Sequence, residues 1–303
     1  VRFPSLIALL ACFSVEAQAA APVHLVPSTP WIVDYAENSC RLVRRFGEGN
    51  DTTTLAFESE APGSLDILII GRPLGTSSDE VAVKFLPLRS KAMTGEVHQT
   101  VQTHAPSVLV NSVQLASGDF VAAQEKRISA FNVRQDAIPG AIRLEMKAAY
   151  RAERDAFVAN TTAVEIDVRH PLILDTGPLG PAMKRFDQCG RDSLRDWGVD
   201  PDVEDQIARP VWAPDPSKWF DPSDYPAKGI SLNHESVVKV RLLVDAAGRP
   251  TKCTSLSHFD DPEFNKVTCE KFMSRAHFAP AELADGTKVP SYFVIKVTYR
   301  MAQ

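Results

Sequence analysis

The feature that most constrains how this chain folds is the alternation of apolar and polar side chains in its closing stretch. A half-buried strand places every second residue on the same face. Within 237–245, Val238, Val240, Leu242 and Val244 share one face, and Lys239 and Arg241 lie opposite, beside Val237 and Leu243. Within 292–301, Phe293, Ile295, Val297, Tyr299 and Met301 alternate with Tyr292, Val294, Lys296, Thr298 and Arg300. Each segment reads as a strand with one buried face and one wet face. Between the first strand and a second one carrying Cys253, Asp245-Ala246-Ala247-Gly248-Arg249 supplies the glycine that a hairpin with a positive-φ position needs. A helix is expected from Asp261, which can cap free amides, with Pro262 in the first helical position and Glu263 at the positive end of the dipole. Phe264, Val267, Phe272 and Met273, with Cys269 among them, form a stripe broad enough to cover three strands. The fold class is α+β, ending in a three-stranded antiparallel sheet with packed helices.

The order of short motifs in 225–303 is specific. Tyr225-Pro226, Glu235, Val244-Asp245, Gly248-Arg249, Phe278-Ala279-Pro280-Ala281 and Asp285-Gly286 follow one another. In this order they resemble the C-terminal domain of the energy-transducing TonB family, over about a quarter of the chain. Ser236 stands where that pattern has glycine, which predicts a different bend into the first strand. The Cys253 and Cys269 pair is also outside the pattern. The resemblance implies a domain that grips a short peptide of an outer-membrane receptor, or of another envelope protein, by adding it to an open sheet edge. On that reading the last strand is the docking edge, with Tyr292, Val294, Lys296, Thr298 and Arg300 as partner-binding residues.

The beginning of the sequence predicts export. Arg2 precedes an apolar run from Leu6 to Val15, and Ala17-Gln18-Ala19 offers the small residues of a cleavage site, so 1–19 reads as a signal peptide and the destination as the periplasm. The run is too short for a membrane span. A lipid anchor at Cys12 is the alternative. Without Cys12 the cysteines are Cys40, Cys189, Cys253 and Cys269, an even set suited to disulfides in an oxidising compartment, with three pairings open. Cys253 on a strand and Cys269 on the helix expected to cover it favour that pair, which leaves Cys40 with Cys189.

Residues 22–198 read as a separate β-rich domain with a closing helix. Strands are expected at 40–46, 53–58, 65–70, 81–86, 108–115 and 163–168, and helices at 119–131 and 178–197. In the second helix Leu179, Met183, Phe186, Leu194 and Trp197 follow helical spacing before Gly198. Residues 199–224 read as a Pro-rich linker, reaching about 80 Å if extended at ~3.1 Å per residue. They lack the Pro-Glu and Pro-Lys repeats of a TonB spacer, so the gripping module is expected here without the means to transmit force.

Other function classes find little support. A net charge of -5 with no basic stripe argues against nucleic acid. No metal or cofactor is expected, since the cysteine and histidine spacing lacks ligand motifs. Asp175-Thr176-Gly177 matches the core of an aspartic-protease loop, but such sites pair two carboxylates and the chain has one copy, so a protease would have to be a dimer. Pro178 following a Thr176 cap offers a helix start instead. The scattered histidines accompany no nucleophile elbow. A non-enzymatic protein is expected, acting by strand addition, with an envelope adaptor working through its N-terminal domain as the alternative.

Overall fold

The structure is a computed structural model that describes residues 21–75, 78–87, 92–100, 104–131, 138–256 and 262–301. The expected signal segment 1–19, Cys12 and the Asp261 cap lie outside the described residues.

The first half is one sheet of ten strands. Its strands are β1 (Val23–Leu25), β2 (Ile32–Tyr35), β3 (Cys40–Phe46), β4 (Thr53–Ser59), β5 (Asp66–Gly71), β6 (Glu80–Leu86), β7 (Met93–Gln99), β8 (Pro106–Val110), β9 (Ala163–Asp167) and β10 (Leu172–Leu174). The order is β1-β10-β9-β6-β7-β8-β5-β4-β3-β2, antiparallel except where β1 runs parallel to β10. The outermost strands of that order are separated in sequence only by residues 26–31. Pro27 bridges to Phe46, and the Gly47 amide donates to the Val26 carbonyl at 2.9 Å, so the sheet closes on itself. Alternation fills the interior with Leu42, Leu55, Phe57, Ile67, Ile69, Val83, Phe85 and Ile166.

Five of the expected strands match closely, but 108–115 stops at Val110, and β1, β2, β7 and β10 were not expected. The helix α1 (Gly118–Ala130) lies where the sequence places it. A long helix, α2 (Gly140–Asn160), was missed. It is rich in strong helix formers but buries only Phe157 and Val158 along its length, so no apolar stripe announces it. Phe157 closes an aromatic column, 5.4 Å from Phe85, which in turn lies 6.4 Å from Phe57. The helix α3 (Gly180–Asp196) buries Met183, Phe186 and Leu194 as expected, and Gly198 at φ 78° ends it. Its start differs. Leu179 is the N-cap, and the Thr176 hydroxyl donates to the Gly177 carbonyl, so Thr176 is not a helix cap. The disulfide Cys40–Cys189 joins β3 to α3.

The second core is built on the sheet β12-β11-β15, from β11 (Ser236–Val244), β12 (Pro250–Ser255) and β15 (Ser291–Tyr299); the short helix α5 (Ala227–Ser231) precedes β11, and the two-residue strands β13 (Ala281–Glu282) and β14 (Lys288–Val289) pair with each other. The face holding Val238, Val240, Leu242 and Val244 is fully buried under α6 (Pro262–Arg275). The buried stripe of α6 is Phe264, Thr268 and Phe272. Met273 is exposed, because spacing by four turns it away from the sheet. Cys253–Cys269 ties β12 to α6. The hairpin glycine is required twice: Gly248 has φ 81°, and a Cβ there would meet the Phe278 carbonyl oxygen at 2.0 Å. Ser236 pairs with Tyr299 in the regular register, so the bend expected at this position is not seen. The irregularity in the sheet lies at the other end of β11, between Leu243 and Val244. Tyr225 packs edge-on against Phe264 and Tyr299, and its hydroxyl donates to the His234 carbonyl at 2.7 Å.

The stretch read as a linker is packed instead of extended through solvent. It forms α4 (Pro201–Gln206), buries Ile207, Val211, Ala213 and Trp219 in the second core, and pairs Arg209 with Glu282 and Trp212 with Ala279. Prolines that favour extended backbone suit such a strip, and its apolar side chains hold it down. Asp224 fixes its end to α6 by ion pairs with Lys271 and Arg275, both at 2.6 Å.

Burial pushes the Asp224 pKa up, but the Lys271 ammonium, the Asp221 amide and the Arg275 guanidinium pull it down further, to about 2 from an ordinary 3.8. The folded value lies below the unfolded one, so the stabilisation is complete above pH 3.8 and is lost as the pH falls towards 2. Thermal melts across that window should show this loss in the wild type and a flatter profile in Asp224→Asn. Replacing both Cys253 and Cys269 by Ala should cost about 3 kcal/mol in urea unfolding, the loop-closure value for a bridge of this span.

Candidate partner-docking edge

The strand β15 pairs with β11 on one side, from Ser236 with Tyr299 through to Val244 with Ser291. It is last in the sheet order, and among the described residues no strand lies along its other side. Its main-chain groups there are the ready-made template that a guest strand could use.

The face of this sheet that the sequence assigned to solvent is covered at its Arg241 end by Asn38, Glu60, Pro62 and Trp197, and stays open at Val237, Lys296 and Thr298. Arg241, in the middle of β11, is only 4% exposed. Its guanidinium lies 3.6 Å from the centre of the Trp197 ring and donates to the Glu60 carbonyl at 2.9 Å and to the Asn38 carbonyl at 3.3 Å. Burial pulls its pKa down to about 10, against the opposing charge of Glu60. The neighbouring Lys239 makes an ion pair with Glu60. Tyr292 donates to the Pro62 carbonyl at 2.6 Å and packs edge-on against Trp197, and burial raises its pKa. Ser291 donates to the Glu204 carboxylate at 2.7 Å.

The five residues expected to contact a partner therefore divide. Tyr292 is taken up by Pro62 and Trp197. Val294, opposite Arg241, is half-buried. Lys296, opposite Lys239, and Thr298, opposite Val237, are exposed, as is Arg300 just beyond the strand. The open part of the edge is its C-terminal half.

Sequence reasoning missed Arg241 and Trp197 as the pin between the two cores. The available signal was Leu243 on the supposedly wet face, where an apolar side chain asks for cover; Val237 on the same face stays exposed. Asp175 sits at the surface with its carboxylate 3.3 Å from Nδ1 of His24. No group of metal-ligating side chains occurs among the described residues, and none of their helices is long and apolar enough to cross a membrane.

Residues 221–301 match the family model of the Gram-negative bacterial TonB protein C-terminal. The resemblance carried by Tyr225-Pro226, Gly248-Arg249 and Phe278-Ala279-Pro280-Ala281 is thereby borne out for this part of the chain. The matched span starts at Asp221, the cap of the short turn that holds Asp224, and ends at Met301, whose amide donates to the Glu235 carboxylate at 2.9 Å. The TonB-like module thus runs from the segment clamped by α6 to the end of the edge strand. It is an α+β module. Comparison with curated proteins and with solved structures gives no match.

Replacing Arg241 by Ala should cost about 3 kcal/mol, since it takes a donor from the buried Glu60 carbonyl and the part-buried Asn38 carbonyl and uncovers the Trp197 face. Calorimetry should then resolve two unfolding transitions where the wild type shows one. A single transition at the wild-type temperature would show that Arg241 does not couple the cores.

Proposed function

We propose that the TonB-like module is a periplasmic docking device that captures an extended segment of an outer-membrane receptor or another envelope protein by strand addition along the outer side of β15. The single observation that carries this reading is that β15 is paired on one side only, in a sheet with one face under α6 and the Arg241 end of the other face covered as well. With α6 on one face and Trp197, Pro62 and Glu60 against the other, the side of the strand is what a partner can reach. Main-chain hydrogen bonds supply affinity in that mode, and side chains at alternate positions supply selectivity. The exposed Lys296 and Arg300 favour a guest with acidic residues beside its paired stretch.

The N-terminal domain, on this reading, is a rigid mount. It grips the sheet through Arg241 and Tyr292 and directs the guest to the half of the strand between Lys296 and Tyr299. A link to TonB-dependent transport would run through the partner that is gripped. Asp175, exposed and paired with His24, offers no second carboxylate, and a protease reading gains nothing from its surroundings.

The test is an NMR titration of the full chain with synthetic segments from the periplasm-facing ends of outer-membrane receptors. Amide shifts and slowed hydrogen exchange should concentrate at Lys296, Val297, Thr298 and Tyr299. Shifts confined to β12 or α6, or no binding by any segment, would overturn the proposal.

A further inference from the structure

Between α2, α3 and the N-terminal sheet lies a cavity of about 480 Å³, closed on one side by Tyr292. This volume suits a small ligand. Its inner wall is apolar, with Leu65, Leu115, Phe186 and Leu194. Its rim is charged. Lys147, Tyr150, Arg151 and Arg154 come from one face of α2 at helical spacing, and Asp187 and Arg191 face them from α3.

Most of the rim charges are already satisfied. Arg154 takes Asp187 in a two-pronged pair at 2.9 and 2.6 Å, and Asp205 accepts from both Arg151 and Arg191. Glu204 accepts from Ser291. Lys147 differs from them. Its ammonium donates to the Glu204 carbonyl at 2.8 Å, and among the described residues no carboxylate closes an ion pair with it. Burial lowers its pKa, with the nearby Arg151 adding to the effect and the Glu204 and Asp205 carboxylates offsetting part of it, so a directly bonded anion would still stabilise this cation.

From this arrangement we infer that the cavity is a binding site for a small amphipathic carboxylate, whose head pairs with Lys147 and whose apolar body lies on Leu65, Leu115 and Phe186. The carboxylate gives Lys147 the direct ion pair that it lacks, and the body displaces water from a wall that cannot hydrogen-bond. A neutral molecule of the same shape gains only the second term. The site is separate from the β15 edge and does not depend on the docking proposal.

Isothermal titration of the full chain with octanoate and, in parallel, with octanol tests this without altering the protein. Saturable octanoate binding at one site per chain is expected, with octanol about tenfold weaker or undetectable. Lys147→Met should weaken octanoate by about tenfold, and Leu65→Trp, which fills the cavity from a partly buried position, should abolish binding. The absence of saturable octanoate binding would overturn the inference. So would octanol binding as tightly as octanoate, or Lys147→Met binding octanoate like the wild type.

Discussion

The molecule depends on a charge held where charges are expensive. Arg241 stands in the centre of a three-stranded sheet, shielded from water, and is stabilised there by the Trp197 ring and the carbonyls of Glu60 and Asn38. All of these partners belong to the N-terminal half. Desolvating a guanidinium is offset only when such partners are in place, so the sheet and the closed ten-stranded domain fit together in one arrangement. An apolar contact of the same size would tolerate sliding, whereas a buried cation with fixed acceptors does not.

That arrangement decides what the TonB-like module can offer. A small three-stranded sheet covered by one helix would normally expose its second face. Here the second face is occupied by Tyr292 and Arg241, and the packed strip 207–219 covers part of the helical side. What stays open is the outer main chain of the two edge strands, β12 and β15, and the end of the second face that carries Val237, Lys296 and Thr298. The two disulfides act within this plan at different ranges. Cys253–Cys269 holds the helix to the sheet across a short separation, and Cys40–Cys189 fastens α3, which carries Trp197 just beyond its end, to the strand β3.

Much of the C-terminal module was legible in the sequence because its rules are local. The alternation in 237–245 identifies the buried face, Gly248 identifies the hairpin, and the run of short motifs identifies the family. What was hidden depends on contacts between residues far apart in the chain. Nothing near Tyr292 indicates that Pro62 will accept its hydroxyl, and nothing near Arg241 points to Trp197. In the N-terminal half, β3 to β6 were readable from alternation. The strand β7 was not, since Met93-Thr94-Gly95-Glu96-Val97-His98-Gln99 offers only Met93 and Val97, on either side of Gly95, as an apolar face, and β6 and β8 flank it. The helix α2 shows the opposite case. Its residues favour a helix at almost every position, yet the core needs only its last turn. The segment 199–224 was misread because proline content reports an extended backbone and not whether that backbone is free.

Lys296 lies on the open strand in a position where two copies of this chain meeting side by side would bring ammonium groups near one another. Such crowding discourages the protein from adhering to itself while leaving the same main-chain groups ready for a strand that brings carboxylates. A lysine on the wet face of an edge strand thus works against self-association.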